Sequence, residues 1–227
     1  LGHALARFFL DQGISVWGCS RREPGDLCSH EMFRSVSCDV ADFETVPQRL
    51  DDLFGDSINC DLAILNAGIL SPFGDMRQVS LDDCRHVLDV NLWANKVLLD
   101  WLLERFPTLS QVATISSGAA VHGHRGWNAY SISKAALNML TKLYSAEAVA
   151  THFVAIAPGL IDTHMQDVLC GLPEDDRYQS LKSLRQRKNT PEMPTPEQLA
   201  PRIAQVIADA PGKIESGTFI DVRKIDW

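Results

Sequence analysis

The chain has 227 residues, a net charge of −8 at neutral pH, 45% hydrophobic residues and 22% charged residues. This size and balance are typical of one globular domain, and the acidic net charge disfavours nucleic acid or an anionic membrane surface as a partner. No apolar run approaches the roughly 18 residues that a membrane span needs, and no secretory signal is visible. The six cysteines are scattered without a ligand pattern, so we expect reduced thiols, no metal site and a cytoplasmic protein.

Helical and strand patterns alternate along the chain. In chain order they predict a helix over 2–12, strands over 14–19 and 35–40, a helix over 42–54, a strand over 61–65, a helix over 81–105, a strand over 112–116, a helix over 128–149, a strand over 153–157, a helix over 196–210 and a strand over 218–222. The polar segment 166–195 is predicted to be a mobile flap over a substrate. The alternation predicts an α/β fold with a doubly wound parallel sheet, in a single domain that spans 1–227.

Distinctive polar and glycine residues follow the predicted strands. They are Ser20-Arg21, Asp39-Val40, Asn66-Ala67-Gly68, Ser116-Ser117 and Pro158-Gly159. The carboxyl ends of parallel strands meet at one edge of the sheet, where folds of this class bind their ligands. The arrangement therefore indicates a large bound ligand at that edge.

Tyr130 and Lys134 carry the clearest chemistry in the sequence. They are one helical turn apart, on the same face of the helix over 128–149. An ammonium group this close favours the phenolate, so we expect the pKa of Tyr130 to fall. Such a phenol could give a proton to a carbonyl oxygen near neutral pH, or take one from an alcohol. Ser117 follows a predicted strand and could hydrogen-bond the same substrate oxygen.

The opposite side of that helix is apolar. Ile132, Ala136, Met139 and Leu143 lie there, while Thr141 shares the side of the tyrosine and the lysine. We expect the apolar side to be the one that packs against the protein, which would leave the tyrosine side free for chemistry.

Several motifs in this order resemble the short-chain dehydrogenase/reductase family, whose members are built on a single Rossmann domain. The motifs are Asn66-Ala67-Gly68, Asn91, Ser117, the Tyr130 and Lys134 pair, and Pro158-Gly159 followed by Thr163. Taken together in the family's order, they are very specific, although a tyrosine and a lysine at this spacing are weak evidence alone.

The resemblance implies a catalytic tetrad. Tyr130 would be the general acid or base, and Ser117 would fix and polarise the substrate oxygen. Lys134 would lower the pKa of the tyrosine and bind the nicotinamide ribose, while Asn91 would interrupt its helix to hold a water molecule. Each residue also has an ordinary alternative, since Asn91 could be a satisfied core amide, Ser117 a helix cap and Lys134 a solvated surface residue.

The resemblance also implies a dinucleotide, which the family cradles with a glycine-rich turn after its first strand. Gly2 matches only the last glycine of that turn, and we expect the sequence to be incomplete before Leu1, where the first strand and the other glycines would stand. Ser20 and Arg21 lie where a carboxylate would favour NAD, and they would instead meet a 2′-phosphate. They predict NADP(H), with merely solvated arginines as the alternative.

The remaining cofactor contacts are implied by the family. Asp39 and Val40 resemble the pair that contacts the adenine ring. Asn66, Ala67 and Gly68 would let the backbone pass close to the adenosine ribose, because glycine permits a close approach. The nicotinamide carboxamide would be lined by Pro158, Gly159, Ile161 and Thr163.

Local strings at 115–120, 157–163 and 216–221 look like the branch that contains sepiapterin reductases and benzil reductases, which reduce one carbonyl of a vicinal dicarbonyl with NADPH. We therefore expect an NADP-dependent reductase of a ketone or vicinal dicarbonyl, with a catalytically silent NADP-binding sensor as the alternative. Ser117, Trp127 and Tyr130 would contact the substrate. Trp127 could stack on a flat ring or act only as a helix-capping hydrophobe.

Members of the family usually pair through the helices that correspond to 81–105 and 128–149. The resemblance therefore implies a homodimer or a homotetramer. The alternative is that the outer apolar residues of these helices are covered within one protomer.

Overall fold

The computed structural model describes residues 1–57 and 59–227. Its strands are β1 (Val16–Ser20), β2 (Phe33–Ser37), β3 (Leu62–Leu65), β4 (Gln111–Ile115), β5 (His152–Ala157) and β6 (Thr218–Asp221). Its α-helices are α1 (Gly2–Asp11), α2 (Val46–Phe54), α3 (Leu81–Leu88), α4 (Ala94–Arg105), α5 (Asn128–Glu147), α6 (His164–Cys170), α7 (Gln179–Arg187) and α8 (Pro196–Lys213). The predicted parallel α/β fold is confirmed.

The strands form two sheets within the part of the chain that is described. β1 pairs with β2, whereas the other four strands are ordered β3-β4-β5-β6, and every pair is parallel. The sheets share a core, since Trp17 and Cys19 of β1 pack against the same cluster as Val112 of β4.

Both faces of the four-stranded sheet are covered by helices, as the apolar runs of its strands require. Successive side chains of a strand point to opposite faces, so Val112 and Phe153 join the core beneath α2 and α4, whereas Ala113 and Val154 join the core beneath α1 and α8. This packing holds the carboxyl ends of β3 to β6 in one rigid row.

The predicted helix over 81–105 is interrupted. A π-helical segment, Asp89–Trp93, separates α3 from α4, with Asn91 fully buried inside it. Segments of this kind are rare and are often found at functional sites.

The predicted flap over 166–195 contains most of α6 and all of α7, which the polar composition concealed. It has its own small core of Leu169, Tyr178, Leu181, Leu184 and Met193. The two short helices share only a few apolar residues, so the sequence shows no strong helical periodicity in this segment. Its mobility stays a prediction.

None of the helices in residues 1–57 and 59–227 is both long enough and apolar enough to cross a membrane.

Candidate active site

Most of the residues expected to form the site follow the carboxyl ends of the strands or lie on α5, whereas Gly2 begins α1 and Asn91 lies in the π segment. Ser20 ends β1, Asp39 and Val40 follow β2, and Asn66 follows β3. Ser117 follows β4 and Pro158 follows β5. Because the strands of each sheet are parallel, these residues lie along the edge where ligands of α/β folds bind.

Tyr130 lies in the first turn of α5, with 7% of its surface exposed. The hydroxyl of Ser117 lies close enough to its phenol to lower the pKa of the tyrosine. The Ser117 hydroxyl also accepts a hydrogen bond from the backbone N–H of Ala119 at 3.1 Å, which caps a short 3₁₀ turn. Ser117 therefore acts as a cap and lies beside the tyrosine at the same time.

The expected fall in the pKa of Tyr130 is wrong for this structure. Burial raises the pKa of Tyr130, and the nearby hydroxyl of Ser117 offsets this effect only in part. The Lys134 ammonium lies 6.0 Å from the centroid of the tyrosine ring and donates its hydrogen bond elsewhere. Desolvation of the phenolate therefore outweighs the favourable charge that the sequence suggested.

Lys134 is almost fully buried. Its Nζ donates a hydrogen bond to the backbone carbonyl of Ile115, at the end of β4, over 2.8 Å. Burial lowers the pKa of Lys134 to about 8. Gly68 lies against this group, since a Cβ atom there would stand 3.3 Å from Nζ. The lysine is therefore a structural part of the strand edge and not a solvated surface residue.

Asn91 uses its side chain to hold a neighbouring segment. Its Oδ1 accepts from the backbone N–H of Ile69 at 2.8 Å, and its Nδ2 donates to the carbonyl of Ile69 at 2.9 Å and to the Ser133 hydroxyl at 3.0 Å. Its own carbonyl accepts from Asn95 at 2.9 Å. The side chain is a satisfied core amide that joins the loop after β3 to α5, and a role in holding a water molecule stays a prediction.

The outward side of α5 differs from the expected one. The tyrosine and lysine side is buried, whereas Ile132, Met139 and Leu143 are 51%, 56% and 53% exposed. The polar side is accommodated because its groups are paired, for example Thr141 with Thr114 at 2.9 Å between hydroxyl oxygens. The expectation that the apolar side packs against the protein is therefore wrong for a single protomer.

The end of β1 presents exposed basic side chains. The Ser20 hydroxyl donates to the carbonyl of Arg22 at 2.5 Å, which closes the turn. Arg21 and Arg22 are exposed and form no ion pair with other residues of the described ranges. Next along this edge, the Asp39 carboxylate accepts from the N–H of Ala41 at 3.0 Å, while the Val40 side chain is buried in the core.

The first residue of α1 approaches the end of β3. A Cβ atom on Gly2 would stand 2.7 Å from Nδ2 of Asn66, so a side chain there would require the Asn66 amide to move. Ala67, the next residue, is exposed. The start of α1 therefore contacts the end of β3 beside an exposed residue.

The segment after β5 contains a glycine in the left-handed region. Gly159 has a φ of +90°, a conformation that favours glycine. Ile161 is buried, and Thr163 directly precedes α6. The side chain of Arg223 lies against Gly159, a neighbour that reasoning from the sequence missed because no local pattern brings the C-terminal turn to this loop.

Aromatic side chains surround Trp127. Its ring centroid is 5.8 Å from those of Tyr130 and of Phe73, and Phe73 is 5.0 Å from Tyr178. Its indole N–H donates to the Ser180 hydroxyl at 2.9 Å, which ties α7 to the start of α5. Phe73 and Tyr178 were not expected from the sequence. They extend the aromatic cluster that begins at Tyr130 and Trp127.

The buried lysine predicts an unusual dependence of stability on pH. Between the folded pKa of about 8 and the ordinary value of 10.5, the unfolded chain binds a proton at Lys134 that the folded chain does not. The free energy of unfolding therefore rises with pH in this window. The free energy of unfolding of the wild type, taken relative to that of Lys134→Met, should rise by about 2 kcal/mol between pH of about 7.5 and about 10.

Urea unfolding of both proteins at the two pH values measures this effect, and the difference between them cancels the other titrating groups. If the difference in unfolding free energy between the two proteins were the same at both pH values, the Lys134 ammonium would not be desolvated.

Comparisons with known proteins agree with this geometry. The family model described as short chain dehydrogenase matches residues 1–170. A benzil reductase ((S)-benzoin forming) from Bacillus subtilis is 28% identical and aligns with 99% of this chain and 94% of its own length. Sepiapterin reductase from Bos taurus is 32% identical over 70% of this chain and 61% of its own length. The structure of ElxO with NADP bound superposes with a TM-score of 0.80 at 21% identity, covering 97% of this chain and 92% of that one. The chain belongs to the short-chain dehydrogenase family and is an oxidoreductase.

Proposed function

We propose that the protein is an NADP(H)-dependent carbonyl reductase that converts a ketone or a vicinal dicarbonyl to an alcohol, with Tyr130 as the general acid. One observation carries this proposal: the buried phenol of Tyr130 lies beside the hydroxyl of Ser117 and one helical turn from a buried Lys134, at the ligand-binding edge of the sheet. The name of the Bacillus subtilis relative supports a dicarbonyl substrate, and ElxO with NADP bound supports the cofactor.

The residues along the edge fit a nicotinamide dinucleotide phosphate. Gly68 has no side chain that would crowd the Lys134 ammonium, and its neighbour Ala67 is exposed. Arg21 and Arg22 are exposed at the end of β1, and guanidinium groups bind phosphate well. Arg21 and Ser20 would hold the 2′-phosphate, Asn66 the adenosine ribose and Lys134 the nicotinamide ribose. When bound, this cofactor supplies the hydride.

The protein's own groups would handle the proton. Because burial raises the pKa of Tyr130, its phenol stays protonated at neutral pH and can donate to the carbonyl oxygen. The Ser117 hydroxyl would donate a second hydrogen bond to that oxygen, which polarises the carbonyl. With a pKa of about 8, Lys134 is mostly cationic at neutral pH, and its charge would stabilise the phenolate once the proton has left.

A turnover screen tests the proposal. The full chain is assayed for NADPH and NADH consumption with benzil, 1-phenylpropane-1,2-dione, sepiapterin, quinones and sugars. We expect consumption with the dicarbonyls, and faster with NADPH than with NADH. Tight NADPH binding without turnover across the panel would contradict a reductase and favour the silent sensor.

We also propose that two or four protomers associate through the outward side of α5. Ile132, Met139 and Leu143 form an exposed apolar stripe there, and Trp93, at the end of the π segment, is 46% exposed. Burying such a stripe against a second copy would gain apolar contact that one protomer lacks.

Met139→Glu should break this association. A carboxylate in the stripe would be desolvated and would face its symmetry mate, so the dissociation constant should rise about 100-fold. Light scattering after size-exclusion chromatography measures the mass. Val149→Glu, just beyond α5 at an 86% exposed position, is the matched control and should not change it. A wild type with the mass of one protomer would contradict the proposal.

A further inference from the structure

The side chain of Arg223 lies across the carboxyl ends of β4 and β5. A Cβ atom on Gly159 would stand 3.0 Å from Cδ of Arg223, and one on Gly118 would stand 3.5 Å from a terminal nitrogen of the guanidinium. Gly118 directly follows Ser117, the residue whose hydroxyl lies beside the phenol of Tyr130. Gly159 therefore makes room for the Arg223 side chain, and the guanidinium lies within ordinary contact distance of Gly118, next to the residue proposed to bind the substrate carbonyl.

Asp221 holds this guanidinium in place. Nε of Arg223 donates to Oδ1 of Asp221 at 2.9 Å, and a terminal nitrogen donates to Oδ2 at 2.6 Å. The carboxylate also accepts the backbone N–H of Arg223 at 3.1 Å, and Asp221 is buried at the end of β6. A guanidinium has five N–H bonds, and Asp221 receives two of them. The side chain of Arg223 is 47% exposed, so the remaining N–H bonds are available to a ligand.

A cavity of about 390 Å³ opens beside this arginine. It is lined by Gly159 and by three arginines, Arg187, Arg202 and Arg223. Arg187 pairs with Glu192 at 3.1 Å, whereas Arg202 donates to the carbonyl of Ile225 at 3.1 Å and has no carboxylate partner within residues 1–57 and 59–227. The cavity wall therefore carries an excess positive charge in a protein whose net charge is −8.

We propose that Arg223 binds the second oxygen of the substrate, and that a carboxylate fills this place best, so that aryl 2-oxo acids are a preferred substrate class. This inference rests on the proposed function and deepens it. In a vicinal dicarbonyl the second oxygen is one carbon away from the reacting carbonyl, which suits a donor next to Gly118 when the first oxygen contacts Ser117. A carboxylate accepts charge-assisted hydrogen bonds from guanidinium, which are stronger than those to a neutral ketone.

Matched ligands test the proposal. Phenylglyoxylate carries a carboxylate where 1-phenylpropane-1,2-dione carries a methyl ketone, and both have the same aromatic ketone. Their binding to the protein saturated with NADP⁺ is measured by titration calorimetry, which needs no turnover. Arg223→Gln should weaken phenylglyoxylate about 10- to 100-fold and the neutral dione by less than about 3-fold. The affinity of Arg223→Lys for phenylglyoxylate should lie between those of the wild type and Arg223→Gln, because lysine keeps the positive charge but lacks the paired N–H donors of the guanidinium.

Lys224→Gln is the control, since it removes an exposed cation from the same turn and should change neither affinity. Equal weakening of both ligands, unchanged phenylglyoxylate binding, or no binding to the wild type would overturn the proposal. So would a parallel loss of NADPH affinity in Arg223→Gln, which would assign the arginine to the cofactor's phosphates. A wild type that binds phenylglyoxylate through Arg223 but reduces no carbonyl would refute the proposed function and leave this binding site standing.

Discussion

Replacing Tyr130 with phenylalanine is expected to lower kcat for NADPH-dependent dicarbonyl reduction by about 1,000-fold, because a general acid contributes about 10²- to 10⁴-fold. Phenylalanine keeps the ring that packs 5.8 Å from Trp127, so the fold and the affinity for NADPH should change little. Steady-state kinetics give kcat, and fluorescence titration gives the dissociation constant of NADPH.

Tyr144→Phe is the matched control. This tyrosine lies on the same helix, but its hydroxyl donates to Asp100, away from the strand edge. Its loss should leave kcat within about 2-fold of the wild type, since the hydroxyl touches no reacting group. If Tyr130→Phe retained wild-type turnover, the proton would come from another group and the assignment of Tyr130 would be wrong.

Arg21→Asp should produce the second largest effect, a rise of about 100-fold in KM for NADPH. The variant removes charge-assisted hydrogen bonds to the 2′-phosphate, each of which contributes about 1.5 to 3 kcal/mol, and puts a negative charge in their place. A carboxylate at the end of β1 suits the ribose hydroxyls of NAD(H), so KM for NADH should stay level or fall. Coenzyme kinetics at a fixed dicarbonyl concentration measure both constants.

Arg34→Asp controls for the change in net charge. Arg34 is exposed near the start of β2, on the same two-stranded sheet but away from its carboxyl edge. We expect its KM for NADPH to rise less than about 3-fold, because long-range attraction between exposed charges is screened by salt. Equal effects of the two variants would mean that Arg21 is only a solvated residue.

Local patterns in the sequence were enough to predict the architecture. The alternation of apolar runs and helical periods depends on neighbouring residues alone, so it predicted parallel strands joined by helices and the row of polar residues at the strand ends. The spacing of Tyr130 and Lys134 likewise placed both on one side of α5, because helical geometry fixes that relation. The branch of the family was also recognisable from short strings.

Properties that depend on burial needed the tertiary structure. Helical spacing predicted that the Lys134 ammonium lies near Tyr130. Only the packing showed that desolvation has the larger effect on the pKa of the phenol. The same holds for α5, whose apolar side faces outward because the polar side finds hydrogen-bond partners on β4 and on the π segment.

Contacts between distant segments were also beyond the sequence. Arg223 reaches Gly118 and Gly159 only because β6 pairs with β5 and ends at the same edge. Phe73 and Tyr178 meet beside Trp127 only because α7 folds onto the start of α5. The sequence by itself therefore determined the fold class and the placement of Tyr130 and Lys134 on one side of a helix, which follow from local periodicity. The tertiary structure decided the electrostatics of these two residues and which distant residues lie near them, because both depend on which segments pack together.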